Sequence, residues 1–130
     1  MTTESKQLNV LVVEDDFMNS RFLIIVLKRL GYKSDTAEDG IEAIQKYKSN
    51  KYDLILMDID MPLMNGFQAS EKIREIEREK GIIDGIKIIG VTAKAIEGEK
   101  EKCFDAGMDE YLSKPFRSDD LVKVIKEIAL

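Results

Sequence analysis

Acidic side chains follow the two most apolar short segments of the chain. Glu14 and Asp15 come directly after "LNVLVV", Asp58 follows "DLILM", and Asp60 stands two positions further on. A buried carboxylate without a partner is costly, so acidic residues at the ends of buried strands need a compensating charge. Oxygen ligands without nitrogen or sulfur suit Mg²⁺, which takes one or two carboxylates and keeps several waters. The pattern therefore predicts a magnesium site where the two segments end side by side.

Residues later in the chain extend this chemistry to a phosphoryl group. Thr92 and Lys94 lie in "VTAK" after a third apolar segment, and Lys114 stands in "SKPF". An ammonium and a hydroxyl can neutralise and hydrogen-bond phosphoryl oxygens. Asp58 is then the candidate nucleophile, because an aspartate can accept a phosphoryl group as an acyl phosphate. Taken singly, each acidic residue has a plainer interpretation as a turn or helix cap, and Asp16 is expected to be only a cap.

The elements that must position these residues follow from hydrophobic patterning. Apolar segments alternate with amphipathic ones, and the predicted strands are residues 8–13, 33–37, 53–57, 87–91 and 109–112. Helical spacing follows each strand, with the fourth helix predicted over about residues 96–106. This alternation predicts an α/β fold with a five-stranded, parallel, doubly wound sheet. The polar second strand is expected at an edge, and the carboxyl ends of the central strands should form the functional crevice.

Composition excludes several classes of function. The 130 residues are 44% apolar, enough for one compact domain, and the net charge of -5 argues against non-specific binding to nucleic acid or anionic membranes. The absence of histidine removes serine–histidine catalysis and histidine-based zinc sites, and the single Cys103 is expected to be a packing residue. Without a membrane-length apolar run or a signal-peptide core, we expect a soluble cytoplasmic protein.

Four motifs together resemble the receiver domain of two-component response regulators. They are "VLVVEDD", "DLILMDIDMPLMNG", "VTAKA" and "GMDEYLSKPF", in the order and spacing typical of that family. The resemblance covers residues 8–130 and leaves residues 1–7 as a short leader. It implies the flavodoxin-like receiver fold with strand order 2-1-3-4-5. It also implies a phosphoacceptor signalling protein of a two-component system or phosphorelay, which catalyses only its own phosphorylation and dephosphorylation and is not otherwise an enzyme.

The resemblance implies a role for each residue of the site. Asp58 becomes the phosphorylated aspartate and Lys114 the invariant-type lysine, while Thr92 is the hydroxyl residue that moves toward the phosphoryl group. Tyr111 becomes the aromatic switch residue whose inward or outward rotamer reports phosphorylation. The implied Mg²⁺ ligands are Glu14, Asp15, Asp58 and the backbone carbonyl of Asp60.

The resemblance also implies partners. A histidine kinase or a histidine phosphotransfer protein would donate the phosphoryl group, and a downstream protein would bind the face formed by the fourth helix, fifth strand and fifth helix. Neither nucleic acid nor a membrane is expected as a partner. The ending "GMDEYLSKPF" is more similar to receivers of hybrid kinases and phosphorelays than to those fused to DNA-binding domains.

Two positions depart from the family's common pattern. Glu14 replaces the more frequent aspartate, and its longer reach is expected to preserve metal binding. Asp60 is acidic where many relatives carry a neutral or thioether side chain. We hypothesise that Asp60 and Lys94 flank the path of attacking water and so tune the lifetime of the phosphoryl group, although two solvated charges with little effect are an equally simple interpretation.

Three other functions compete with this interpretation. The segment "LILMDIDMP" also resembles the signature of haloacid-dehalogenase-type phosphatases, with Asp58 as nucleophile and Asp60 as acid/base, but that family places it on the first strand. A flavodoxin-like FMN binder would share the fold, but the loop "EDDF" would repel a phosphate. A non-phosphorylated docking module would have no need of Asp58, Thr92 and Lys114 together.

Overall fold

Five parallel strands, each followed by a helix, form the chain. The computed structural model describes residues 7–93 and 96–128. The elements are β1 (Asn9–Val13), α1 (Phe17–Arg29), β2 (Lys33–Ala37), α2 (Gly40–Ser49), β3 (Leu54–Asp58), α3 (Gly66–Glu79), β4 (Lys87–Thr92), α4 (Glu99–Asp105), β5 (Glu110–Ser113) and α5 (Ser118–Glu127). The sheet order is β2-β1-β3-β4-β5, which confirms the predicted fold class and strand order.

Two hydrophobic clusters cover the two faces of the sheet. Along β3, Ile55 and Met57 belong to one cluster with residues of α2 and α3, while Leu54 and Leu56 belong to the other with residues of α1 and α5. Every residue of β3 is buried, as expected of a central parallel strand covered on both sides. The polar β2 lies at the edge of the sheet, as its pattern predicts.

Aspartate side chains shift the start of two strands. Prediction placed the third strand over 53–57 and the fifth over 109–112, but both begin one residue later. The carboxylate of Asp53 accepts a hydrogen bond from the backbone N–H of Asn9 (2.8 Å), and that of Asp109 accepts one from Ile88 (2.8 Å). These aspartates therefore use their side chains to complete the ladder at its first rung.

The fourth helix is shorter than predicted. The sequence predicts that the fourth helix starts near Ile96. In the structure α4 begins at Glu99, because Gly98 adopts a left-handed conformation with φ of 87°. Glycine reaches that region without steric cost, so residues 96–98 form a turn in front of the helix. Cys103 is fully buried on α4, which confirms its expected packing role.

A partly buried ionic cluster ties α3 to the start of β5, at the opposite end of the sheet from the predicted site. Arg74 donates to Gly107 O (2.9 Å), Glu77 Oε1 (2.7 Å) and Asp109 Oδ2 (3.0 Å). The second oxygen of Glu77 accepts from the Tyr47 hydroxyl (3.1 Å). Loss of the guanidinium would remove the cation that pairs with the buried Glu77 carboxylate, whereas Asp109 Oδ2 would keep the hydrogen bond from Ile88.

Candidate functional site

The carboxyl ends of β1 and β3 bring the predicted acidic residues together. Val13 and Met57 are partners in the β1–β3 ladder, so Glu14 and Asp58 continue from neighbouring positions at one edge of the sheet. Carboxylate oxygens of Glu14, Asp15 and Asp58 all lie within 4.8 Å of one another. Glu14 and Asp58 are each 4% exposed, whereas Asp15 is open to solvent. The cluster therefore has two buried carboxylates and one that is accessible to solvent.

Lys114 supplies positive charge to this cluster through Glu14. Its Nζ lies 2.8 Å from Glu14 Oε1, and its side chain remains 21% exposed. The peptide bond to Pro115 is cis, and the backbone N–H of Lys114 donates to Thr92 O at 2.7 Å. Sequence reasoning expected Lys114 to share the site of Asp58, and the structure brings it there as the ion-pair partner of Glu14.

The crowding of carboxylates changes the affinity of the site for protons. Burial, and then the negative charge of Glu14, raise the pKa of Asp58 to about 7, although Lys114 and the Asp60 N–H act in the opposite direction. That N–H donates to Asp58 Oδ1 at 3.1 Å. Burial lowers the pKa of Lys114, but its hydrogen bond to Glu14 and the nearby carboxylates outweigh burial and raise it. Three carboxylates with no nitrogen or sulfur ligand form a donor set that fits Mg²⁺.

The loop after β3 depends on a glycine that sequence reasoning missed. A Cβ atom on Gly66 would press against the carbonyl oxygen of Asp58 and lie 2.8 Å from the Cα of Ile59. The backbone N–H of Gly66 also donates to Ile59 O at 3.0 Å. Asn65 and Gln68 form a capping box, so α3 begins directly behind the phosphoacceptor candidate. The glycine in "MPLMNG" was the available signal, but only the fold shows what it approaches.

Asp16 is a helix cap, as expected. Its Oδ1 accepts from the backbone N–H groups of Met18 (2.9 Å) and Asn19 (3.1 Å) at the start of α1. Its own N–H donates to Glu14 Oε2 at 3.1 Å. The cap therefore also helps to hold the Glu14 carboxylate in place.

Thr92 and Tyr111 lie on the α4 side of the site. Thr92 is fully buried at the end of β4, and Tyr111 is half-buried on β5, packed against the cluster that contains Met57. The ammonium of Lys100 lies 6.0 Å from the ring centroid of Tyr111 and 5.7 Å from that of Phe104. Such distances are at the outer limit of a cation–π interaction.

Asp60 has an exposed side chain beside the site. Lys94 falls outside the described residues.

An apolar groove between α1 and the segment after β5 was not predicted from the sequence. It has a volume of about 510 Å³, and Phe22, Leu23, Lys114 and Phe116 are among its lining residues. The rings of Phe22 and Phe116 meet edge to face with centroids 6.0 Å apart. Lys114 lines the groove and also pairs with Glu14, so the groove continues directly into the acidic cluster.

A family model for the response regulator receiver domain matches residues 10–126. The chain belongs to this family. It is therefore a receiver domain with phosphoacceptor signalling as its function, and nothing supports the phosphatase alternative.

Relatives of two kinds contain this domain. Two-component response regulator 24 of Arabidopsis thaliana is 43% identical over 126 residues, which cover 96% of this chain and 86% of that protein. Hybrid signal transduction histidine kinase B of Dictyostelium discoideum is 39% identical over 91% of this chain, but the match spans only 6% of the kinase. The same module thus occurs as most of a small protein and as a small part of a large one.

Two solved structures of similar fold contain a partner protein and a metal ion, respectively. The receiver domain of the Saccharomyces cerevisiae response regulator Ssk1, crystallised with the histidine phosphotransfer protein Ypd1, has a TM-score of 0.87 and 31% identity, covering 93% of this chain and 88% of that one. The receiver domain of a sensor histidine kinase from Pseudomonas aeruginosa PAO1 has a TM-score of 0.81 and 34% identity, covering 94% and 97%. Its structure holds a magnesium ion in the active site cleft.

Proposed function

We propose that Asp58 is the phosphoacceptor of this receiver domain. The observation that carries the proposal is the position of its carboxylate, which is buried at the end of the central strand β3 beside Glu14 and Asp15. Lys114 adds an ammonium to the same cluster through Glu14. Among the described residues, this is the only group of three acidic side chains close enough to share a metal ion.

The donor in this proposal is a phosphohistidine. A carboxylate oxygen of Asp58 attacks phosphorus, the new O–P bond forms as the N–P bond breaks, and the imidazole leaves with the electron pair. The Asp60 N–H holds one oxygen of Asp58, which directs the other toward the incoming phosphorus. Lys114 neutralises a phosphoryl oxygen. Beyond this transfer and the later hydrolysis of its own acyl phosphate, the domain catalyses no reaction.

Mg²⁺ is the cofactor in this proposal. Glu14, Asp15, Asp58 and the backbone carbonyl of Asp60 would hold it, and when bound it would neutralise negative charge on the phosphoryl oxygens. The related kinase receiver with a magnesium ion in its active site cleft supports this assignment. Asp15 is the exposed member of the cluster and the natural point of entry for the ion.

Thr92 and Tyr111 form the switch. Thr92 moves toward the phosphoryl group and its hydroxyl donates a hydrogen bond to a phosphoryl oxygen. Tyr111 then moves into the space that Thr92 leaves. Both side chains lie on the α4 side of the sheet, so the movement repacks the face of α4, β5 and α5, where a downstream protein binds. The phosphoryl group shifts the population because the two conformations contact it differently.

The phosphodonor docks on α1 and the adjacent groove. Phe17 and Met18 are each 71% exposed at the start of α1, and Phe22 and Ile25 continue the apolar stripe. The stripe borders the groove that ends at Lys114. A histidine phosphotransfer domain, either of a histidine kinase or as a separate protein, is the occupant that fits, since its histidine must reach Asp58. The structure of Ssk1 with Ypd1 supports this choice of partner.

The remaining assignments rest on charge and composition. The net charge of -5 fits neither nucleic acid nor an anionic membrane as a partner, and we propose a cytoplasmic location. None of the helices within 7–93 and 96–128 is long and apolar enough to cross a membrane. We assign residues 8–130 to the receiver domain and residues 1–7 to a short leader.

Asp60 and Lys94 are proposed to tune the lifetime of the phosphoryl group by flanking the path of attacking water. The test is the dephosphorylation rate of Asp60→Asn and Lys94→Ala. A change in rate for either variant supports the role, and unchanged rates in both contradict it.

Intact-protein mass spectrometry after incubation with acetyl phosphate tests the proposed function. We expect a labile phosphoryl adduct on the wild-type protein with Mg²⁺, none with EDTA, and none on Asp58→Asn. An adduct of equal yield on Asp58→Asn would contradict the assignment of Asp58. No adduct on the wild-type protein would contradict the phosphoacceptor chemistry itself.

A further inference from the structure

Two buried hydroxyls have no hydrogen-bond partner among the described residues, those of Ser70 and Ser113. Ser70 lies in the buried face of α3, whereas Ser113 is the last residue of β5 and precedes Lys114. A buried polar group that makes no hydrogen bond destabilises the fold, and native structures contain few of them. The hydroxyl of Ser113 is the one that stands beside the site.

The sheet places Ser113 next to Thr92. The two residues are partners in the β4–β5 ladder, so their side chains point to the same face. The preceding pair on that face is Gly90 and Tyr111, and both adjoin the same hydrophobic cluster. Neighbouring strands lie about 4.8 Å apart, so two hydroxyls on paired residues of the same face can come within hydrogen-bond distance. Ser113 is thus within reach of Thr92 on the α4 side.

We propose that Ser113 is a positioning residue whose hydroxyl donates to Thr92 Oγ1 in the phosphorylated conformation. This inference rests on the proposed function of Thr92. A hydroxyl has one proton to donate and two lone pairs that accept. When the Thr92 hydroxyl donates a hydrogen bond to a phosphoryl oxygen, its lone pairs remain available to the Ser113 hydroxyl. The two hydroxyls then form a chain that ends on the phosphoryl group, and each bond in such a chain polarises the next.

These two linked hydrogen bonds would favour the switched conformation. In the conformation described here Thr92 has another interaction, and the Ser113 hydroxyl has no partner within the described ranges. Phosphorylation would satisfy a hydroxyl that this conformation leaves unsatisfied. Because a ligand shifts a population only by its different affinity for two states, Ser113 would add to the preference of the phosphoryl group for the switched state.

The test compares Ser113→Ala with Ser70→Ala, which removes the other unpartnered hydroxyl from α3. Beryllofluoride with Mg²⁺ serves as the phosphoryl analogue, its affinity is measured by titration calorimetry, and the stability of the ligand-free proteins by urea unfolding. Both variants should be at least as stable as the wild-type protein, because each loses an unsatisfied group. Ser113→Ala should bind beryllofluoride about fivefold more weakly, the effect of one hydrogen bond, and Ser70→Ala should bind it like the wild-type protein.

A second comparison separates a role through Thr92 from a general effect. In a Thr92→Ala background, Ser113→Ala should produce no further loss of affinity, because the acceptor of its hydrogen bond is gone. The inference is overturned if Ser113→Ala lowers ligand-free stability and leaves the affinity unchanged, or if its loss of affinity persists without Thr92. Failure of the proposed function would look different, since the wild-type protein itself would then form no adduct with acetyl phosphate.

Discussion

Gly66→Ala should impair phosphorylation by displacing the end of β3. The added Cβ would press against the carbonyl of Asp58 and lie 2.8 Å from Ile59 Cα, where ordinary contacts begin at 3.4 Å. The loop must therefore yield by at least about 0.6 Å. Because a misplacement of about 1 Å costs roughly a hundredfold in rate, we expect phosphorylation of Asp58 to slow about tenfold or more. Overpacking should also destabilise the fold by about 1–3 kcal/mol, against less than about 1 kcal/mol gained in helix propensity.

The control for this variant is Gly81→Ala at the end of α3. Gly81 has φ of 73° and open space around its Cα, so alanine there should cost about 1–2 kcal/mol through backbone strain alone. Both variants then lose comparable stability, measured by urea unfolding, but only one touches the site. The assay is the initial rate of adduct formation with acetyl phosphate, followed by intact mass. A Gly66→Ala protein that reacts at the wild-type rate would refute the positioning argument, as would an equal slowing of Gly81→Ala.

Three further predictions follow from other contacts. Arg74→Met should lower the free energy of unfolding by about 3 kcal/mol, because it leaves the buried Glu77 carboxylate without its cation, whereas Lys72→Met at an exposed pair should change it by less than about 1 kcal/mol; equal losses in urea unfolding would contradict this. Lys100→Ala should release Tyr111 and raise the affinity for beryllofluoride a few-fold, since an exposed cation–π contact is worth about 0.5–1 kcal/mol, and fluorotyrosine NMR should show a larger inward population; an unchanged spectrum would argue against the contact. Burial raises the pKa of the Cys103 thiol from 9.0 to about 11, so the native protein should resist iodoacetamide at pH 8 and react in urea. The contribution of this thiol to stability should be lost as pH rises from about 9 to about 11. Rapid alkylation of the native protein at pH 8 would contradict the burial of this thiol.

Much of the site could be predicted because parallel strands end at a common edge. Alternating elements predict a parallel sheet, and the resemblance to receiver domains implies the strand order. That order brings Glu14, Asp58, Thr92 and Lys114 together without knowledge of any side-chain contact. The sequence does not contain distances, so it could not show that Lys114 pairs with Glu14. It also could not show how closely Gly66 approaches the backbone of β3, because that contact joins two ends of a loop.

The parts that prediction missed depend on local geometry or on tertiary packing. A glycine such as Gly98 is compatible with a helix or a turn, and the left-handed conformation that delays α4 became visible only in the fold. Asp53 and Asp109 looked like first strand residues, and their backbone N–H groups do donate to Asn9 O and Ile88 O. The N–H groups of Asn9 and Ile88, however, bond the aspartate side chains rather than a backbone carbonyl. The unsatisfied hydroxyl of Ser113 is a property of its surroundings, and no pattern in "YLSKPF" indicates it.

The central claim is that the phosphoryl group resides on Asp58. Borohydride reduces an aspartyl phosphate to homoserine, so treatment after acetyl phosphate and Mg²⁺ marks the acceptor, and peptide mass spectrometry then locates it. We predict the mark at position 58 alone, with none when EDTA replaces Mg²⁺. A mark at Asp15, Asp60 or any other carboxylate, with position 58 unmodified, would contradict the account.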